Sequence, residues 1–191
     1  MSPAPSRPAA APGELTPNER AALLRAAREA IAAHFERRKA ALPAATGALA
    51  ETRGAFVTLH RKDGALRGCV GLLRSDRPLL ETVARMAVAA AVEDGRFSPV
   101  AAGEVPSLRI EVSALGPLEP IRPEAVEVGR HGLLISHRER RGVLLPQVPV
   151  EHGWDRETFL RHTCGKAGLP EEDWKEPGAE LLGFTAEVFG E

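Results

Sequence analysis

Tyrosine is absent from the chain, and aromatic residues make up only 4% of it. With alanine, arginine and proline abundant, this shortage reflects genome composition rather than function. Cysteine is scarce: Cys69 and Cys164 are the only two. They lie far apart in sequence, and in a reducing cytosol both are expected as free thiols. No apolar run approaches the roughly 18 residues of a membrane span. The opening segment MSPAPSRPAAAPGE lacks the apolar stretch of a secretory signal, so the protein is expected to stay in the cytoplasm. An excess of one charge is also lacking. Lys plus Arg number 25 against 26 Asp plus Glu, a net charge of −1. That balance argues against the wholly basic surface of a non-specific nucleic-acid binder.

The signatures of cofactor and metal chemistry are missing as well. There is no Walker loop, no GxGxxG, no GxSxG and no HExxH. The six histidines include no pair at helical i, i+4 spacing and have no neighbouring CxxC. Surface histidines, no metal and no cofactor are the expectation. His162 and Cys164 stand two apart, a spacing that does not bring side chains together on a helix.

What is present is enough for a core. Hydrophobic residues are 43% of 191, which suits one substantial domain. Residues 1–15 are Pro- and Ala-rich and are expected to form a disordered tail. Order is expected from Thr16, which can cap a helix with Pro17 in its first turn and Glu19 completing a capping box. Leu23, Leu24, Ala27, Ile31 and Phe35 then recur at helical spacing. Residues 55–60 read as a strand, Asp63-Gly64 as a hairpin turn and 65–72 as the return strand. Ser75 or Asp76 is expected to cap a second helix that stops near Gly95. The alternation at 107–114 predicts a strand with Leu108, Ile110 and Val112 buried and Arg109, Glu111 and Ser113 outward. Residues 132–136 and 142–146 predict a second hairpin around the charged turn 137–141. Asp155 caps a third helix, with Trp154 and Phe159 as a hydrophobic staple. One last strand is expected over 181–189. Hairpins with singly inserted helices predict an α+β fold with a mixed, largely antiparallel sheet and helices packed on it, over 16–191 as a single domain.

Three segments carry candidate chemistry. LRGCVG at 66–71 places two glycines inside a strand, which calls for a bulge, a bend or a close approach. Gly68 and Gly71 would open the surroundings of Cys69, and Arg67 beside it would favour a reactive thiolate. The plainer reading is a small buried cysteine in a kinked strand, with Arg67 in solvent. EDGRFSPV at 93–100 sets Arg96 and Phe97 in a loop, either as an anion site or as a core plug beside a solvated arginine. HRERR at 137–141 reads as a solvated hairpin tip, with contact to phosphate as the alternative.

Taken in order, GAFVTLH, LRGCVG, EDGRFSPV, VGRHGLLI, LLPQV and the closing W…FL…C…KAGL…W resemble the AMMECR family across residues 54–174. Val70 stands where Ile is usual, and Ser98 where a second Pro is common. The resemblance implies an α+β fold with a larger and a smaller lobe and a cleft between them. It also implies an association with Memo-like and radical-SAM proteins, the AmmeMemoRadiSam system, but no settled activity. Two readings follow. In one, the protein is an enzyme or binder of a small anionic ligand, with Cys69 as nucleophile and Arg67, Gly68, Gly71, Arg96 and Gln147 around the ligand. In the other it is a non-catalytic module whose partner is a Memo-like or radical-SAM protein.

Overall fold

The computed structural model describes residues 14–191. Two compact units are present, the first formed by the described residues up to Ala114 together with Glu187–Glu191, the second by Leu115–Ala186. The fold is α+β with antiparallel sheets, as the hairpins predict. Among the described residues no helix is long and apolar enough to cross a membrane.

The first unit is built on a four-stranded sheet in the order β2 (Leu66–Leu72), β1 (Ala55–His60), β3 (Arg109–Leu115), β8 (Ala186–Gly190). Helix α2 (Leu79–Val92) packs on β1 and β2, and α1 (Pro17–Phe35) packs against α2. The alternation of β1 explains the arrangement. Ala55, Val57 and Leu59 are fully buried in a core shared with Leu80, Val83, Ala87, Ile110 and Val112, so Phe56, Thr58 and His60 face the other way. The capping box at Thr16 forms with Glu19 as predicted. The Asp63-Gly64 turn closes β1 onto β2, with Gly64 at φ 85°.

Several boundaries differ from the sequence reading. Order includes Leu15, which is buried in the core and donates its N–H to the Glu187 carboxylate at 3.1 Å. An apolar anchor thus precedes the cap; the rest of the expected tail, residues 1–13, lies outside the described residues. Neither Ser75 nor Asp76 caps α2. Pro78 occupies the cap position, and the Ser75 hydroxyl instead accepts from Thr82 Oγ1 at 2.8 Å. Ser113, expected outward, is buried.

The second unit holds the sheet β4 (Glu119–Pro120), β7 (Glu180–Phe184), β5 (Gly132–His137), β6 (Arg140–Leu144). Helix α4 (Arg156–Lys166) packs on β5 and β6 behind its Asp155 cap. Trp154 and Phe159 join one apolar cluster, as a staple should. A short helix α3 (Gln147–Glu151) went unread, because Pro149 interrupts any periodic pattern. The single last strand is two. It breaks at Thr185, whose carbonyl accepts from Gly116 N–H at 2.8 Å, and its halves join different sheets.

Candidate functional site

Cys69 sits on β2, an edge strand of the first sheet, directly opposite Thr58. An edge strand presents unpaired backbone groups that need partners. At Cys69 both are supplied by the segment after α2. Asp94 Oδ2 accepts the Cys69 N–H at 2.8 Å, and Arg96 Nη2 donates to the Cys69 carbonyl at 3.4 Å. Arg96 also binds Asp94 through Nε and Nη2, at 3.0 and 2.7 Å. The guanidinium, with the Cys69 and Arg96 N–H groups, holds the Asp94 carboxyl well below the usual carboxylate range. The LRGCVG and EDGRFSPV boxes are therefore one structural unit. Asp94 went unread because it looked like part of a helix stop.

Arg67 is placed differently from both sequence readings. The β1–β2 register slips between Leu59 and His60, leaving Arg67 as the extra residue of a bulge. Its side chain is buried rather than solvated. Nε and Nη2 bind Glu104 at 2.9 and 3.0 Å, and Nη1 and Nη2 donate to the carbonyls of Ser98 and Pro99 at 2.9 and 3.3 Å. Four of its five N–H donors are taken within the chain, so Arg67 staples the 98–104 segment. Arg67, with the Ala101 N–H, lowers the Glu104 carboxyl to about 2. The two glycines also serve packing. A Cβ on Gly68 would lie 2.1 Å from the Ala90 carbonyl oxygen of α2, and one on Gly71 would lie 2.3 Å from the Phe56 ring. Neither glycine faces open space.

The Cys69 thiol takes no part in the Asp94 and Arg96 contacts. Cys69 is half-buried, and Thr58 Oγ1 donates to its Sγ at 3.3 Å. The Arg96 side chain is 59% exposed and lies over the Phe97 ring at 5.5 Å. Phe56, Thr58 and His60 are half-buried on the same face as Cys69, the one opposite α2. An open depression of about 490 Å³, lined by Arg61, Lys62, Asp63, Glu104, Ser107 and Leu108, contains none of the candidate residues.

In the second unit Gln147 begins α3, and its side-chain oxygen is buried without a hydrogen-bond partner. Such acceptors are rare and mark places where water or a ligand group is accommodated. Cys164 is fully buried, and burial pushes its thiol up. His162 points outward and stacks on Trp154, so no dyad forms with Cys164. His137 is not a surface histidine: it is nearly buried, and its Nδ1 lies 2.8 Å from Asp173. Among the described residues no group of three or more His, Cys, Asp or Glu converges to hold a metal.

The arrangement is that of a small α+β domain carrying a clamped cysteine on an edge strand. The AMMECR1 family model matches residues 24–189, and the chain belongs to that family. A protein of Thermococcus gammatolerans is 48% identical over 151 residues, covering 74% of each chain. One from Methanopyrus kandleri is 44% identical over 188 residues, covering 93% of this chain and 91% of its own. The crystal structure of an uncharacterized protein from Pyrococcus horikoshii is similar at 42% identity with a TM-score of 0.78, covering 88% of this chain and 89% of that one.

Proposed function

We propose that the protein binds a small ligand, as carrier or enzyme, at the Cys69 surface of the first unit. Cys69 is the reactive or contacting centre, and the exposed Arg96 contacts an anionic or carbonyl group of the ligand. Gln147, in the second unit, stays a separate candidate contact. One observation carries this reading. Two charged side chains are committed to the backbone N–H and C=O of a single cysteine that is only partly buried. A fixed backbone is what a positioned nucleophile or ligand contact requires.

A second reading has its own support. Leu66, at the start of the box, is 39% exposed, and Val188 on β8 is 46% exposed. Exposed apolar side chains on the two edge strands of the sheet also suit a protein partner, and the resemblance suggests a Memo-like or radical-SAM one.

Mass spectrometry of small molecules released on denaturing the purified protein separates the two. A compound retained by the wild type and lost from both Cys69→Ser and Arg96→Gln supports ligand binding. No retained compound, together with stoichiometric complex formation with a Memo-like protein, supports the second reading.

A further inference from the structure

The row that crosses the first sheet through Cys69 has a third member. Thr58 stands opposite Cys69 on one side and opposite Glu111 of β3 on the other. Directly opposed residues of antiparallel strands share a face. Thiol, hydroxyl and carboxylate therefore line up over three neighbouring strands, on the face opposite α2. At the usual strand spacing the Glu111 backbone lies about 10 Å from that of Cys69.

Glu111 is half-buried in the middle of a strand, where glutamate is disfavoured. Its carboxylate makes no hydrogen bond or ion pair with any described residue. Three arginines of the first unit have their ion pairs or hydrogen bonds with other groups. Arg109, two residues along the same face, donates to the Glu191 carbonyl at 3.1 Å. Arg96 holds Asp94, and Arg67 holds Glu104. His60, in the next row, has its Nδ1 3.3 Å from the Gly64 carbonyl oxygen. A half-buried carboxylate without a partner in the chain is open to a cationic or N–H group from outside it.

We propose that Glu111 is the second recognition group of the Cys69 site and that the ligand is a short peptide or peptide-like zwitterion. Its ammonium or N–H end faces Glu111, its middle lies over Thr58 and Cys69, and its carbonyl or carboxylate end faces Arg96. Arg96 Nη1 has no partner among the described residues and is available for that contact. The span sets the size. An extended chain covers about 3.4 Å per residue, so two or three residues are needed to bridge the row. The inference rests on the reading of Cys69 as the centre of a ligand site.

The test uses full-length protein and two thiol reagents, the cationic trimethylammonium-ethyl and the anionic sulfonato-ethyl methanethiosulfonate. Each passes its thioalkyl group to the cysteine thiolate and releases methanesulfinate, and the adduct is located by peptide mass spectrometry. At low salt Glu111→Gln should lower the ratio of cationic to anionic labelling rates at Cys69 roughly threefold to fivefold, with the effect shrinking at high salt. Glu111→Ala should do the same and Glu111→Asp should not, so either neutral variant that folds gives the answer. Triglycine should slow labelling of the wild type more than of the neutral variants. Labelling of Cys69 with an unchanged ratio, or without triglycine protection, overturns this inference alone. Failure of Cys69 to label faster than Cys164 with either reagent overturns the ligand-site reading beneath it.

Discussion

Arg67 shows how far a residue's role depends on what the chain brings to it. In sequence it flanks a cysteine; in the structure it belongs to Glu104, Ser98 and Pro99. Replacing it with methionine leaves a carboxylate and two carbonyls without their donor, and should cost about 2–4 kcal/mol, read as a lowered urea midpoint. The same pair sets a pH dependence. The folded Glu104 carboxyl titrates at about 2 against an ordinary 4.5. Its contribution is fully present above 4.5 and is lost as pH falls through that window to 2. Urea midpoints measured from pH 5 down to 2.5 should therefore fall less steeply in Glu104→Gln than in the wild type. Gly68→Ala should cost about 1–3 kcal/mol, because the added methyl meets backbone of α2 and not a side chain that can swing away. The sequence located the box at 66–71 and named Cys69 and Arg96. Thr58, Asp94 and Glu111 stayed hidden, since only strand register and loop return bring them to Cys69.

At the scale of elements, periodicity was readable wherever one face of an element is buried. Helix α1 with its capping box, both hairpins and α4 with its staple follow from local signals. The errors fall where long-range pairing decides. The stretch 181–189 alternates without interruption, yet Thr185 bonds Gly116 and divides it between sheets. The turn between β5 and β6 offered no glycine or asparagine, but Arg138 and Glu139 adopt φ of 48° and 63°. Both central residues in that region define the hairpin turn that Asn-Gly forms most readily. Replacing Arg138 and Glu139 together by Asn and Gly should raise stability by about 1 kcal/mol through relief of backbone strain. An unchanged or lowered thermal midpoint would show that these side chains contribute contacts outweighing the strain.

For the whole molecule, membership of the AMMECR1 family and likeness to a solved archaeal structure establish the fold while leaving the chemistry to the site. On the proposed function Cys69 is the presented thiol and Cys164 the inert one. Cys69 is half-buried on an edge strand, its backbone fixed by Asp94 and Arg96 and its sulfur met by Thr58. Cys164, on the buried face of α4, is fully buried, and burial opposes its ionisation. The most direct measurement is brief labelling of native protein with iodoacetamide across a pH series, with each adduct located by peptide mass spectrometry. Cys69 should be alkylated at least about tenfold faster than Cys164 near neutral pH. Equal or slower labelling at Cys69 would contradict the account and leave the LRGCVG box as a packing motif.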